Sequence, residues 1–344
     1  MYKTNILNLS LEELQQAVVD LGEERFRAQQ VFKWIYQKGV LDFTRMSDLP
    51  ADLRSKLQEK FFLAELELAR ALRSKDKTEK FLFSLNDNHH LEAVMIPAQH
   101  RFTGCISTQV GCRFRCSFCA SGLLGFKRNL TCAEMVGEAL YLKNHSLKKK
   151  LTHLVFMGTG EPLDNYNHVI KAIRIINHHR GLNIGARRIT ISTCGIIPGI
   201  KKLAKEGLQI ELSVSLHAAD DKVRSQLMPV NKIYPLKELL AACRKYFQDI
   251  NRQITFEYIL MRGVNSDLQS ARKVVTMLQD LECKVNLIPA NSIPECGIES
   301  PENPEIMLFK DYLLRHGVKA TFRKPRGQDI DAACGQLRLR YDKI

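Results

Sequence analysis

The hydrophobic residues of the first 60 or so positions recur at helical intervals. Ser10 and Glu13 have the spacing of a capping box ahead of one amphipathic segment. A second apolar stripe runs over 26–36 and ends at Gly39, and a third helix is expected after Pro50. Basic residues are interspersed with these stripes. The pattern predicts a small helical bundle with one basic face, which by itself indicates only a solvated surface.

The hydrophobic pattern changes period after this bundle. Apolar and polar residues alternate over 78–97 on either side of Asn86-Asp87-Asn88, which predicts a β-hairpin. From residue 103 onward, strand-like and helix-like segments alternate. The expected strands are 103–109, 153–157, 188–193, 209–216, 254–260, 284–289 and 318–323, and the helices between them include 131–143, 168–178, 200–206, 236–247, 267–280 and 304–315. Repeated βα units predict an α/β fold with a parallel sheet, either open or curled into a barrel.

Composition and charge limit the classes of protein to which the chain can belong. Of 344 residues, 45% are hydrophobic and 26% are charged, which is ordinary for a folded domain. No apolar run reaches membrane-spanning length and the N-terminus lacks a signal-peptide core, so we expect a cytoplasmic protein without a membrane partner. The formal charge of +14 fits a polyanionic partner about as well as it fits a basic protein without one.

Ten cysteines in a cytoplasmic chain favour metal or redox chemistry over structural disulfides. Cys243 and Cys283 lie in apolar runs, where a buried inert thiol is expected. Cys112, Cys116 and Cys119 follow the first strand of the βα series, and their spacing fits a short loop around one metal centre. Three thiolates on a four-iron cluster leave one iron open for a ligand. A structural zinc site would need a fourth ligand from a second Cys/His pair, which the sequence lacks.

The segment Cys112-x3-Cys116-x-Phe118-Cys119 resembles the signature of the radical S-adenosylmethionine (AdoMet) superfamily. The resemblance implies a [4Fe–4S] cluster held by the three cysteines, with AdoMet chelated to the open iron and cleaved to a 5′-deoxyadenosyl radical. It also implies a partial (β/α)6 barrel, which suits the strand series. We therefore expect a helical accessory domain over 1–75, a β-hairpin linker over 76–100 and a radical AdoMet barrel over 101–344.

Longer blocks over nearly the whole chain resemble the RlmN/Cfr group of RNA adenosine methyltransferases. These blocks are 109–112, 156–165, 192–195, 215–217 and 329–337. By this resemblance, the residues that contact AdoMet are Gly160, Glu161, Ser192, Ser215, Leu216, His217 and Asn291. A carboxylate at Glu161 suits the amino group of AdoMet, because a carboxylate pairs with an ammonium. The resemblance also makes the basic helical domain an RNA-docking module.

The same resemblance implies catalytic roles for Cys334, Cys105 and Glu92. C2 of adenine is a poor nucleophile, so the group uses two AdoMet molecules. The Cys334 thiolate first accepts a methyl group. The radical from the second AdoMet removes a hydrogen from this S-methyl group, and the resulting carbon radical adds to adenine. Glu92 takes the C2 proton, and Cys105 resolves the protein–RNA crosslink through a transient disulfide with Cys334. Without the resemblance, Cys105 would be interpreted as a buried strand cysteine and Glu92 as a surface glutamate.

One position bears on the choice within the group. Pro162 resembles the RlmN form, which methylates C2 of a 23S rRNA adenosine at the peptidyl-transferase centre and often the tRNA adenosine 3′ of the anticodon. The alternative Cfr form, which tends to have Ala there, methylates C8. Two other positions depart from the group's pattern where AdoMet adenine is expected to pack: Thr159 stands where Met is common, and Ala290 stands where an aromatic residue is frequent. The tail ending at Ile344 is short for the group. We expect a dual-specificity C2-methyltransferase that is a monomer and is reduced by a flavodoxin-like or ferredoxin-like donor.

Function classes other than RNA methylation stay open at this point. A non-catalytic Fe–S or zinc RNA-binding protein would share the basic surface, but it needs no second reactive thiol at Cys334. A radical AdoMet enzyme acting on a protein or small metabolite is weakly disfavoured by the charge of +14. The Cys334→Ala substitution separates these classes, because a methylase loses methylation or stalls as a crosslink while a binder is unaffected.

Overall fold

The computed structural model describes residues 3–123, 125–145, 150–291 and 297–337. Its N-terminal part contains the helices α1 (Leu11–Val19), α2 (Arg27–Tyr36) and α3 (Ala51–Lys60). The predicted capping box begins α1, because Glu13 N donates to Ser10 Oγ and Ser10 N donates to a Glu13 carboxylate oxygen. Short strands β1 (Thr4–Asn5) and β2 (Phe61–Phe62) pair in parallel and join the two ends of this bundle. The helices predicted for this region are therefore confirmed.

The rest of the described chain surrounds one ten-stranded sheet. Its parallel strands are β6 (Phe102–Ile106), β9 (His153–Phe156), β10 (Ile189–Thr193), β11 (Glu211–Ser215), β12 (Ile254–Leu260), β13 (Cys283–Pro289) and β14 (Lys319–Phe322). They lie in chain order, so successive crossovers run in one direction and the sheet curls around its inner face. The predicted α/β partial barrel is confirmed.

The helices that cover the outer face of the barrel include the predicted series and one helix that was not predicted, Asp221–Leu227. They are α5 (Cys132–His145), α6 (Tyr166–Asn177), α7 (Ile197–Leu203), α8 (Asp221–Leu227), α9 (Leu236–Ile250), α10 (Leu268–Leu278) and α11 (Asn303–Arg315). Apolar faces of most of these helices join the sheet and the N-terminal bundle in one continuous core. No helix in the described ranges is long and apolar enough to cross a membrane.

Three antiparallel strands extend the sheet beyond β6. They are β3 (Glu67–Arg73), β4 (Glu79–Ser84) and β5 (His90–Pro97). The predicted hairpin is β4–β5, and its pairing continues into the barrel where Val94 lies opposite Cys105. The hydrophobic pattern did not predict β3, which lies within residues 1–75, the expected helical domain. Its mostly exposed side chains lack the alternation that identifies a half-buried strand.

The segment that follows β14 crosses the open side of the barrel. We call residues 327–337 the C-terminal strap. The Asp329 carboxylate accepts a hydrogen bond from Ser74 Oγ at 2.5 Å, in the turn between β3 and β4. Lys80 Nζ, on β4, donates to the carbonyl oxygen of Asp331 at 3.1 Å. The strap therefore links the last strand of the barrel to the antiparallel edge of the same sheet.

Candidate active site at the carboxyl ends of the strands

The three predicted cluster cysteines lie on the loop that follows β6. Strands β7 (Gln109–Val110) and β8 (Arg128–Asn129) pair at the base of this loop, and the short helix α4 (Ala120–Leu123) begins directly after Cys119. Gly111 has a φ of +74°, and a Cβ placed there would lie 1.7 Å from the carbonyl oxygen of Gly125. Only glycine therefore fits at the entrance of the loop.

Cys112, Cys116 and Cys119 line one cavity of about 160 Å³. Burial raises the pKa of Cys112 to about 12 and the pKa of Cys116 well above its ordinary value, so a cation is needed to hold these thiols as thiolates. Within the described residues, no three Cys, His, Asp or Glu side chains converge on a single ion. An iron–sulfur cluster does not need that convergence, because its cysteines bind different irons. The donor set therefore fits three corners of a [4Fe–4S] cluster.

Gly160 and Glu161 follow β9 and form part of the same cavity wall. Gly160 has a φ of +105°, and a Cβ there would lie 2.6 Å from Cβ of Gln109. The Glu161 carboxylate accepts hydrogen bonds from Leu163 N at 3.0 Å and from Cys194 N at 2.7 Å. Burial raises the pKa of Glu161, and these backbone donors oppose the shift. The carboxyl group is thus fixed in the wall, beside the cysteine loop.

The ends of β10 and β11 bring Ser192, Ser215 and His217 to the cavity. His217 has a φ of +56°, and its Nδ1 accepts a hydrogen bond from Ile259 N at 3.0 Å, which leaves the ring proton on Nε2. Burial lowers the pKa of His217 to about 3, so the imidazole is neutral at physiological pH. The side chain of Leu216, by contrast, is fully buried in the main core. Of this block, Ser215 and His217 present their side chains to a ligand.

A buried arginine that was not predicted from the sequence joins these strand ends. Arg224, on α8, is fully buried. Its guanidinium donates to the carbonyl oxygens of Cys194 and Ser215, each at 2.9 Å, and of Leu216 at 3.1 Å. The sequence carries no signal for this role, because an arginine on a short helix is expected to face solvent.

Cys105 and Cys334 line a second cavity of about 90 Å³, and both Cys334 and Cys119 also line the first cavity. Burial raises the pKa of Cys105 to about 12. Arg323, directly after β14, lines both cavities, and its interaction with Cys334 raises its own pKa. Arg323 was also missed, although its place at the carboxyl end of a barrel strand is a signal for function. The structure thus brings both predicted reactive thiols to one cavity beside a guanidinium.

Asn291 holds the strap at the position of Cys334. Its Nδ2 donates to the Cys334 carbonyl oxygen at 2.9 Å, and its Oδ1 accepts from Gln328 Nε2 at 2.9 Å. On the other side, Ala120 N donates to the Gly335 carbonyl oxygen at 2.7 Å, directly after the last cluster cysteine. Asn291 lines the Cys105–Cys334 cavity, and its predicted contact with AdoMet stays a prediction.

Glu92 lies on β5 and lines neither cavity. It is 1% exposed and forms an ion pair with Lys80 Nζ at 2.9 Å. Its strand face also carries Ile96, which lines the Cys105–Cys334 cavity. The interpretation of Glu92 as a surface glutamate is wrong, because the hairpin is covered by the strap. Its role as a base stays a prediction.

Thr159 and Ala290, the two residues that depart from the group's pattern, are both buried among packed side chains. Thr159 is fully buried, and its Oγ1 lies 3.4 Å from Ser121 Oγ. Ala290 is buried in a small apolar cluster with Met228 and Met261. The short tail lies outside the described residues, which end at 337.

Two family models match the chain. The ribosomal RNA large subunit methyltransferase N-terminal domain matches residues 4–63, and the radical SAM superfamily, SAM being S-adenosylmethionine, matches residues 106–273. The chain is 46% identical to a probable dual-specificity RNA methyltransferase RlmN of Thermoanaerobacter sp. (strain X514), over 98% of this chain and 99% of the relative. It is 44% identical to the protein of the same description from Geobacillus kaustophilus, over 98% and 93% of the two chains.

A solved structure agrees with these sequence relatives. The crystal structure of a radical SAM methyltransferase from Sphaerobacter thermophilus superposes with a TM-score of 0.95 at 42% identity, and the match covers 98% of this chain and all of that one. Both the helical bundle and the barrel are therefore part of the shared architecture. The chain belongs to the RlmN family of radical SAM RNA methyltransferases.

Proposed function

We propose that this protein methylates C2 of an adenosine in 23S rRNA, at the peptidyl-transferase centre, and C2 of the tRNA adenosine 3′ of the anticodon. The observation that carries the proposal is the meeting of Cys105 and Cys334 in one cavity beside the cysteine loop. An RNA-binding protein without catalysis has no use for two thiols in that arrangement. The curated relatives carry the description dual-specificity RNA methyltransferase, which supports both RNA substrates.

The family's cofactors are a [4Fe–4S] cluster and AdoMet. Cys112, Cys116 and Cys119 are the proposed cluster ligands, and when bound the pair of cofactors supplies a methyl group and radical chemistry. Glu161 is the proposed partner of the AdoMet amino group, because its carboxyl group lies in the cavity wall next to the cysteine loop. The carboxyl group of Glu257 lines the same cavity but accepts hydrogen bonds from Ser213 and Asn286. The Nε2–H of neutral His217 provides a hydrogen-bond donor to the same cavity.

Cys334 is the proposed methyl acceptor. In this step its sulfur forms a bond to the methyl carbon while the bond from that carbon to the AdoMet sulfur breaks. Its interaction with Arg323 raises the pKa of that arginine, so a cation stays beside the sulfur. Asn291 and Ala120 hold the backbone on both sides of this cysteine, which limits its movement.

Cys105 is the proposed resolving thiol. A pKa of about 12 keeps it protonated until the crosslink forms. Its sulfur then bonds to that of Cys334 as the bond between Cys334 and the base-linked carbon breaks, and that carbon keeps the electron pair and takes a proton. Glu92, oriented by Lys80, is the proposed acceptor of the C2 proton, and the one electron that must leave the adduct with this proton would be taken up by the cluster held by the cysteine loop. The resulting disulfide must be reduced in each turnover, which suits a cytoplasmic location and a flavodoxin-like or ferredoxin-like donor for the cluster.

The test is anaerobic reconstitution with AdoMet, a reductant and unmodified 23S rRNA and tRNA fragments, followed by mass spectrometry of the digested nucleosides. We expect 2-methyladenosine in both RNAs, its loss in Cys334→Ala, and its retention in Cys243→Ala, a control at a buried cysteine outside the site. A product of 8-methyladenosine would overturn the C2 assignment. Cleavage of AdoMet without RNA methylation would overturn the assignment of RNA as the substrate.

A further inference from the structure

Glu92, the proposed base, lies where the antiparallel edge of the sheet separates from the barrel. The ladder between β5 and β6 ends at the pair of Val94 and Cys105. Continued by two residues, the same register would place Glu92 opposite Ser107. Strand β6 ends at Ile106, however, and the chain turns away there towards the cysteine loop. Among the described strand pairs, Glu92 is therefore paired only with Leu82 on β4.

The side chain of Ser107 takes the place of the missing ladder pair. Ser107 Oγ donates a hydrogen bond to the carbonyl oxygen of Glu92 at 2.7 Å and accepts one from Thr159 N at 3.0 Å. Thr159 directly precedes Gly160 and Glu161, which line the first cavity. Ser107 is fully buried, so water does not compete for these hydrogen bonds. One hydroxyl group thus connects the backbone of the proposed base to the residues that follow β9.

A buried carboxyl group on α5 fixes the backbone of Ser107. Glu138 is fully buried, and its Oε1 accepts a hydrogen bond from Ser107 N at 3.1 Å. This N–H group would continue the ladder towards β5 if β6 did not end. The Oε2 atom of Glu138 has no hydrogen-bond partner within the described residues. Burial raises the pKa of Glu138 well above its ordinary value, so the carboxyl group favours its neutral form.

Packing alone does not explain an acid at this position. Met135, Ala139 and Leu142, on the same helix, are apolar and lie in the main core. An apolar side chain would fill the space of Glu138 without burying polar atoms. The bond to Ser107 N is therefore the better explanation for the acid. Neither Ser107 nor Glu138 lines a cavity of the site, so both would act through the residues that they hold.

We propose that Ser107 is a positioning residue for Glu92 and that Glu138 in turn positions Ser107. The proposal rests on the proposed RNA methylation, in which Glu92 takes the C2 proton. Residues two apart on a strand share a face, and Val94, on the face of Glu92, packs with Cys105. A change in the way β5 leaves the barrel would therefore move the Glu92 carboxyl group relative to the reactive thiols. Proton transfer needs the base within hydrogen-bond reach, so a displacement of about 1 Å is enough to slow it.

The test follows the two halves of the reaction separately in Ser107→Ala. Methyl-Cys334 is measured by mass spectrometry of the protein, and the protein–RNA crosslink is measured on denaturing gels with a labelled 23S rRNA fragment. Ser266→Ala is the matched control, because Ser266 is also buried and its Oγ also donates to a backbone carbonyl oxygen, that of Met261 at 3.1 Å. Ser266 lines neither cavity of the site. Iron content shows whether each variant holds its cluster.

We expect Ser107→Ala to form methyl-Cys334 as the unaltered protein does, but to release methyladenosine 10- to 100-fold more slowly and to accumulate at least tenfold more crosslink. A displaced base leaves the C2 proton in place, so the crosslink stays unresolved. Glu92→Gln, which removes the base, should accumulate the crosslink in the same way, and Ser266→Ala should not. Equal crosslink in Ser107→Ala and Ser266→Ala would overturn the proposal. Loss of methyl-Cys334 in Ser107→Ala would also overturn it, because the damage would then lie at Thr159 in the cofactor wall.

Two substitutions of Glu138 test the second contact. Glu138→Leu removes the acceptor of Ser107 N and should accumulate the crosslink as Ser107→Ala does. Glu138→Gln keeps an oxygen that can accept this hydrogen bond and should recover most of the activity that Glu138→Leu loses. If Glu138→Leu methylates RNA at the rate of the unaltered protein, Glu138 does not position Ser107.

Hydrogen exchange in the free protein separates this proposal from the proposed function. The backbone amides of residues 90–93 should exchange faster in Ser107→Ala than in Ser266→Ala, since the end of β5 has lost its bond to the barrel. Equal exchange in the two variants would overturn the positioning by Ser107, even in a protein that methylates RNA. Faster exchange in a protein that forms no methyladenosine would support the positioning and overturn the methylation.

Discussion

Replacing Gly111 by alanine should damage the cysteine loop far more than the same change at Gly125. Both glycines have left-handed backbones, with φ of +74° and +67°, so either alanine costs about 1–2 kcal/mol in backbone strain. They differ in the space around the added methyl group. A Cβ on Gly111 would lie 1.7 Å from the Gly125 carbonyl oxygen, whereas a Cβ on Gly125 meets nothing within 4 Å.

The collision at Gly111 involves backbone on both sides, so no side-chain rotation relieves it. One of the two segments must move by more than about 1 Å, and Cys112 is the next residue along the chain. Added to the left-handed strain, this displacement should lower the free energy of unfolding by at least about 3 kcal/mol and move one cluster ligand. Gly125→Ala should show only the backbone strain.

Iron and sulfide content after anaerobic reconstitution, together with urea unfolding, measures both effects. Gly111→Ala should retain little iron, and Gly125→Ala should match the unaltered protein in iron while unfolding at slightly lower urea. Equal iron content in the two variants would refute the reasoning, because it would mean that the loop absorbs the collision without moving its cysteines.

Three further substitutions test other parts of the site. His217→Asn keeps an acceptor for Ile259 N but removes a group whose pKa of about 3 lies below the ordinary value of 6.5. Such a group stabilises the fold above pH 6.5 and loses that contribution as the pH falls towards 3. The free energy of unfolding measured in urea should therefore depend less on pH in the variant, by up to about 1.4 kcal/mol per pH unit. Lys80→Met leaves the buried Glu92 carboxylate without its cation and should lower the free energy of unfolding by about 3–5 kcal/mol, and adding Glu92→Gln should recover most of it in the same assay. Asp329→Ala releases the strap from the turn between β3 and β4 and should slow RNA methylation about 10- to 100-fold, while the measured iron content stays unchanged.

The barrel was predictable because its strands and helices each carry a local hydrophobic period. The cysteine loop was predictable because its spacing is short and its chemistry is specific. Strand β3 was not predicted, since its side chains are mostly exposed and its partner is supplied by β4. Its recognition needed the three-dimensional structure of the hairpin.

The two arginines were missed for a different physical reason. Arg224 and Arg323 act through contacts with backbone carbonyls and thiols from other strands. The residues next to Arg224 in sequence do not distinguish it from a solvated arginine, whereas the position of Arg323 at the carboxyl end of a predicted strand is a signal that was not used. The resemblance to the family predicted Cys105 and Cys334 as a pair, but not the side chains that hold them there.

The strap also sets the order in which the molecule can assemble. The hydrogen bond between Ser74 and Asp329 joins residues that are 255 positions apart in sequence. Closing so long a loop is entropically unfavourable unless the chain between has already become compact, so this contact should form after the barrel. Cys334 lies on this strap, so its approach to Cys105 depends on contacts that close after the strands between them have paired.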